Sequence, residues 1–219
     1  NCRYGSNEDV VMNCCRIFLA VKPQMMATVL EPLKPLLQEK KPLLITIAAG
    51  IEIARIEALC GCQLPIIRIM PNTPVAVGKG MITYCHNSLV EESDLSDFIT
   101  DMQYAGRMDA IPEKLIDAAS AVAGCGPAFM YMFLEAMADG GVACGLPRTN
   151  AIEYAAATMA GAAEMLLSTQ MHPGALKDAV CSPGGSTIAG VKVLEENGFR
   201  GAVMDCISAA YKRSCELGK

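Results

Sequence analysis

The 219 residues carry 18 Lys and Arg against 23 Asp and Glu, a formal net charge of −5, with 52% hydrophobic and 19% charged residues. That balance excludes a disordered chain, offers no long basic run for nucleic acid, and can bury the core of one large domain or two small ones. Eleven cysteines, an odd number placed mostly in apolar segments and without a C-x-x-C, exclude a disulfide scaffold and a cysteine zinc site. They read instead as reduced, buried small hydrophobes in a cytoplasmic compartment. The two histidines, His86 and His172, are far apart in sequence, and no metal is expected.

The first half alternates short apolar runs with helical patterns. Ile17-Phe18-Leu19-Ala20-Val21 reads as a parallel strand buried on both faces, ended by Lys22-Pro23. Residues 24–39 follow as a helix disturbed at Pro32 and Pro35. A second strand at 43–47 ends in Ala48-Ala49-Gly50, a short helix takes 52–59, and a third strand at 66–70 closes on Pro71-Asn72-Thr73-Pro74. A strand at 81–85, a helix at 91–104 with acidic first turns, and a last strand at 107–111 complete this half. Such alternation predicts a mostly parallel, doubly wound sheet, with ligands beyond the carboxyl ends of its strands. The turns after Leu19 and Ile47 are two such ends, and their small residues allow close approach; as ordinary strand-to-helix turns they would look the same. No glycine-rich phosphate turn occurs: Gly78-Lys79-Gly80 has neither a buried strand before it nor a long helix after it, so a nucleotide-binding sheet here would lack its first βαβ unit.

Beyond Pro112 every segment reads as helix: 113–123, 127–144, 149–167, 173–180, 188–196 and 199–217. The expected division is therefore residues 1–112, an incomplete Rossmann-like parallel sheet, and 113–219, an all-helical domain. The 127–144 helix is apolar nearly all round and is expected to be central and buried. Its most apolar run, 128–144, is interrupted by Glu135 and Asp139, so no bilayer span is expected. So greasy a helical domain needs covering, and a second copy of the chain is the expected cover, the sheet domain being the alternative.

Within that half, Cys181-Ser182-Pro183-Gly184-Gly185-Ser186-Thr187 enters a helix. The amides of Gly184, Gly185, Ser186 and Thr187 would lack partners at a positive helix end, a site for an anion such as a carboxylate, with the hydroxyls of Ser186 and Thr187 as further donors. The bland reading of Thr187 is that it satisfies the helix start. His172, before a proline at another helix start, reads as a cap, and Lys22 either faces a cofactor phosphate or lies along the sheet surface.

These residues resemble the pyrroline-5-carboxylate reductase family. The likeness rests on Gly124-Cys125-Gly126-Pro127-Ala128-Phe129, Ala138-Asp139-Gly140-Gly141-Val142, Gly145-Leu146-Pro147-Arg148, His172-Pro173-Gly174-Ala175-Leu176-Lys177-Asp178 and Ser182-Pro183-Gly184-Gly185-Ser186-Thr187-Ile188. Phe18-Leu19-Ala20-Val21-Lys22-Pro23, Ala48-Ala49-Gly50 and Met70-Pro71-Asn72-Thr73-Pro74 extend it over the first half. The resemblance implies a dinucleotide-binding domain, a helical domain interlocked with its twin as a homodimer, rings such as decamers, and reduction of 1-pyrroline-5-carboxylate to L-proline with NADPH or NADH. It places Asn7, Ala20, Val21, Lys22, Pro23, Ala48 and Ala49 beside the cofactor. It places Ser182, Gly184, Gly185, Ser186 and Thr187 on the substrate, with Thr187 bonded to the imine nitrogen. Gln170, Ala179 and Cys125 depart from the Glu, Asn and Ser of relatives.

Reducing a C=N bond needs a hydride, a proton and a fixed approach, and a readily protonated imine needs no strong general acid. Two other functions fit parts of the chain. One is a β-hydroxyacid-type dehydrogenase, which would be expected to carry a lysine on its long central helix, where 127–144 has none. The other is a catalytically inactive chain acting only as a dimerisation module.

Overall fold

A computed structural model describes residues 3–217. The chain forms two compact units: one runs through Pro127 and takes up the chain again from Ile207, the other is Ala128–Cys206.

The first unit opens with α1 (Asn7–Asn13), started by a reciprocal cap in which the Ser6 hydroxyl accepts from the Asp9 amide and the Asp9 carboxylate accepts from the Ser6 amide. After β1 (Arg16–Leu19) the region read as one disturbed helix is four pieces: a 3-10 turn at Pro23–Met25, α2 (Met26–Leu30), a second 3-10 turn at Glu31–Leu33, and α3 (Lys34–Lys40). Pro32 and Pro35 each sit within the first two positions of a new piece, where no amide is required of them. Then come β2 (Leu43–Thr46), α4 (Ile53–Cys60), β3 (Ile66–Met70), a 3-10 turn at Thr73–Val77, β4 (Gly80–His86), α5 (Glu92–Met102) and β5 (Gly106–Ala110).

The strands lie in the order β1-β2-β3-β4-β5. All neighbours are parallel except β3 and β4, which are joined by a short connection and run antiparallel. Every residue of β2 and β3 is buried, as strands covered on both faces must be. Met26, Leu30, Leu37, Ile56 and Leu59 of α2, α3 and α4 pack on one face. Phe98 of α5 packs on the other against Ile45, Ile67, Ile82 and Tyr84, its ring edge-on to Tyr84 at 6.1 Å.

β1 departs from the expected double burial. Ile17 and Leu19 are buried, while Phe18 between them is 51% exposed. The strand lies at the sheet's edge, and on the Phe18 side α5 presents carboxylates rather than apolar side chains: Arg16 donates to Asp97 and Asp101 at 2.7 and 2.6 Å.

The doubtful Gly78-Lys79-Gly80 stretch also finds its explanation here. Gly80 and Gly106 start β4 and β5 opposite each other. Gly106 has φ of 144°, and a Cβ on it would overlap the Gly80 carbonyl oxygen. These glycines let two backbones cross, and no phosphate need be invoked.

From β5 the chain passes through a 3-10 turn (Glu113–Leu115), α6 (Ile116–Ala119) and a π turn (Ser120–Gly124), where the Cys125 amide donates to the Ser120 carbonyl at 3.0 Å. The sequence reads this stretch as one helix; the widened turn has no periodic signature.

The helical part comprises α7 (Gly126–Ala143), α8 (Arg148–Thr169), α9 (Pro173–Ala179), α10 (Ser186–Glu196) and α11 (Phe199–Leu217), whose end belongs to the first unit. Between α7 and α8 the Leu146 amide returns to the Gly141 carbonyl at 3.0 Å, and Ala138, Ala151 and Ala155 are buried. α7 is not the buried helix that its composition predicts. Ala138 is its one buried residue, and Tyr131 and Met132 are 61% and 70% exposed. Its large side chains find few partners within one chain, apart from Phe133 against Phe199 at 5.8 Å. Nor do Glu135 and Asp139 disqualify it as a span. By length and composition the helical stretch Glu113–Ala143 could cross a bilayer, with 11% of its most apolar window buried.

Candidate active site

The turn before α10 is built by its own residues. The Gly185 amide donates to the Ser182 carbonyl at 3.0 Å, closing a turn with Pro183 second and Gly184 third at φ 69°. Gly185 then stands as the N-cap in extended conformation, and the first helical bond runs from the Ala189 amide to its carbonyl at 3.3 Å. The Gly185 amide, expected to be free, is therefore used by the turn. The amides of Gly184, Ser186 and Thr187 have no partner among the described residues. Ser182, Gly184, Ser186 and Thr187 are exposed, and a Cβ at Gly184 would meet nothing within 4 Å, although its left-handed backbone disfavours one. No side chain caps α10, so the bland role for Thr187 is not found: its hydroxyl is free of any hydrogen bond among the described residues. Open amides at the positive end of an 11-residue helix, beside an uncommitted hydroxyl, suit a small carboxylate carrying a polar neighbour.

The flanks are structural. His172 caps α9, its Nδ1 accepting from the Gly174 amide at 3.1 Å, which requires that nitrogen to be unprotonated. Gln170 ends α8 in the left-handed conformation, φ 54°. Lys177 pairs with Asp178 at 2.5 Å, and that hydrogen bond raises the ammonium pKa.

In the first unit the structure gathers the other expected residues at the carboxyl ends of β1 and β2. Leu19 pairs in register with Thr46, and the Ile47 amide reaches the Leu19 carbonyl at 3.5 Å, so the turns after the two strands lie side by side. Ala20 and Lys22 are exposed, Val21 is half-buried, and Pro23 opens the 3-10 turn. Asn7 and Val21 line one cleft of about 170 Å³ together with Val10 and Phe18. Ala48 is an exception among these residues. It is 3% exposed, its methyl lies in the core and its amide donates to the Thr46 hydroxyl at 3.3 Å. Ala49, half-buried, carries what surface that turn offers. The exposed small residues and lone cation fit the flank of a nucleotide. Among the described residues no three His, Cys, Asp or Glu side chains form a metal-binding group.

Two polar residues around these turns escape sequence reading. Asn72 accepts from the Met81 amide at 2.9 Å and donates to the Ala123 carbonyl at 3.0 Å, tying the Pro-Asn-Thr-Pro loop to the π turn. Arg68, 1% exposed in the middle of β3, donates to Glu113 at 3.2 Å and to Asp117 at 3.1 Å. A charge inside Ile66-Ile67-Arg68-Ile69-Met70 was the available signal; its partners, more than forty positions away, were not legible.

Comparison with known proteins places the chain in a family. Residues 113–217 match the family described as Pyrroline-5-carboxylate reductase dimerisation. A pyrroline-5-carboxylate reductase of Synechocystis sp. is 45% identical over 203 residues, 93% of this chain and 75% of the relative. That of Escherichia coli is 42% identical over 214 residues, 98% of this chain and 79% of the relative. The crystal structure of Plasmodium falciparum pyrroline carboxylate reductase with NADP bound superposes with a TM-score of 0.91 at 38% identity, covering 99% of this chain and 82% of that one. With this identity over three quarters of its relatives' length and a shared backbone, the chain belongs to the pyrroline-5-carboxylate reductase family.

Proposed function

We propose that this protein reduces 1-pyrroline-5-carboxylate to L-proline with NADPH or NADH, the last step of proline biosynthesis. The observation that carries the reading is the Ser182-Pro183-Gly184-Gly185-Ser186-Thr187 turn. It presents three amides and a threonine hydroxyl without partners among the described residues at a helix N-terminus, in a chain whose relatives bear that enzyme's name. The amides of Gly184, Ser186 and Thr187 hold the substrate carboxylate, with Ser182 and Gly185 shaping the turn. The Thr187 hydroxyl hydrogen-bonds the ring nitrogen and holds the proton there, so that the adjacent carbon is electrophilic and fixed in direction. The nicotinamide supplies the hydride when bound. Residues 1–112 hold it, through Asn7, the turn Ala20-Val21-Lys22-Pro23, and Ala49, with Ala48 beneath. The structural relative with NADP bound supports this assignment.

Residues 113–219 carry the substrate turn and the homodimer contact. The exposed Met130, Tyr131, Met132 and Ile152 call for an apolar cover, and the dimerisation family matched by residues 113–217 favours a second copy over a bilayer. Decameric rings are the assembly that the family resemblance adds. The ten cysteines among the described residues are all free thiols, which supports a reducing, cytoplasmic setting.

The test is pyrroline-5-carboxylate-dependent oxidation of NADPH and NADH, with the mass in solution read by sedimentation. Proline formation by a dimer or larger assembly is expected. A dimer that oxidises neither nucleotide refutes the enzyme reading in favour of a dimerisation module, and a monomer refutes the assembly.

A further inference from the structure

We propose that Glu113 is a positioning residue for the nicotinamide nucleotide: gripped by Arg68, its carboxylate caps α4 and so fixes the Ala48-Ala49-Gly50 turn that leads into that helix. This rests on the reading that the turn lies against the nucleotide.

α4 has no cap of its own. Glu52 stands at the N-cap position in extended conformation and makes no side-chain cap bond. The first amide of the helix, Ile53, is served instead by Glu113 Oε1 at 2.7 Å from 60 residues away. That is the short range of a charge-assisted bond, formed where the helix dipole favours a negative group. The other end of the turn is fastened to the sheet, through the Ala48 amide to the Thr46 hydroxyl at 3.3 Å and Ile47 to Leu19. The short segment between these anchors contains Gly50 at φ 71°, and Glu113 is its far anchor.

Arg68 aims that carboxylate. It lies beside β2 in register with Thr46, so the guanidinium starts from the strand that delivers the turn. One guanidinium nitrogen holds Glu113 and the other holds Asp117, while Nε is buried without a partner among the described residues. A buried guanidinium with an unsatisfied donor is a poor device for stability, since replacing the whole set of charges, Arg68 with Glu113 and Asp117, by apolar residues of like volume often serves as well or better. What the charge provides that a methyl group cannot is a fixed bearing for the carboxylate that caps α4.

Three measurements on Glu113→Ala and Glu113→Gln test this: amide hydrogen exchange across residues 48–56, equilibrium titration with NADPH, and steady-state constants. Gln keeps an acceptor for the Ile53 amide and loses only the charge, and it preserves the test if the Ala variant folds poorly. Loss of a cap predicts about five- to tenfold weaker nucleotide binding for Ala, and about two- to threefold for Gln. Exchange at Ile53 should accelerate in the same order. The nucleotide KM should rise in parallel, while kcat and the pyrroline-5-carboxylate KM stay within about twofold.

Faster exchange with unchanged nucleotide affinity overturns the proposal, because the cap would then serve the fold alone. Unchanged exchange also overturns it, as does a wild-type protein that binds no nucleotide. Weakened NADPH binding in a protein whose wild type fails to reduce pyrroline-5-carboxylate would uphold the positioning role and strike only the reductase reading.

Discussion

Replacing Arg68 by Met should cost stability, and the structure sets how much. Arg68 is 1% exposed, and its two partners retain access to water, Glu113 at 31% and Asp117 at 24% of their side-chain surface. Removing one member of a fully buried pair costs about 3–5 kcal/mol. Here the abandoned carboxylates can turn toward solvent, and Glu113 keeps its bond to the Ile53 amide, so the penalty falls below that range. Met also relieves the desolvated Nε, an unsatisfied buried donor worth about 1–3 kcal/mol against the wild type. The net expectation is about 2 kcal/mol, or about 4–8 °C in Tm for a chain of this size. Calorimetry at one fixed protein concentration measures it, with concentration held constant because an oligomer's melting depends on it. An Arg68→Met protein as stable as wild type would refute the reasoning: the two carboxylates would then be indifferent to the charge between them.

Thr187→Ala should lower kcat by about a hundredfold, the lower end of what a positioned proton-handling group contributes. Its melting temperature should hold, since the side chain is exposed and makes no hydrogen bond among the described residues. Unchanged turnover would remove Thr187 from the mechanism. Burial pushes Cys60 up to about 12 and Cys85 up to about 11, in each case from an ordinary value of 9.0. Alkylation of the native protein at pH 8 should therefore mark the exposed Cys14 and Cys15 and spare these two, as read by peptide mass spectrometry. The same shifts have a defined sign for folding. The unfolded thiols ionise first, so stability is level below pH 9 and declines as the pH climbs from there toward the folded values. Denaturation midpoints should be lower at pH 10 than at pH 8, and equal midpoints would count against the burial.

Much of the fold was legible because its cause is local. Ile66-Ile67-Arg68-Ile69-Met70 announces a buried strand at the bounds observed, and Pro32 and Pro35 break the helix after β1 wherever it packs, since neither has an amide to donate. The bend before α10 was legible for the same reason: Pro183 and Gly184 dictate its geometry within four residues. Errors arose where a residue's state depends on what lies across from it. Phe18 looks buried by composition and is exposed because β1 has a neighbour on only one edge and carboxylates on that face. The α7 helix looks like a core helix, yet within the single chain its large side chains have few partners and stay exposed.

By itself, then, the sequence determined the five strands and the long helices, the parallel-then-helical order and the proline-glycine bend before α10, all set by steric limits and periodicities acting over a few residues. The tertiary structure alone decided which apolar side chains are covered, leaving Phe18 51% exposed on the edge strand. It alone carried Glu113 to the start of α4. Hydrogen bonds and buried charges are settled by distances between residues far apart in the chain, and no local pattern encodes those distances.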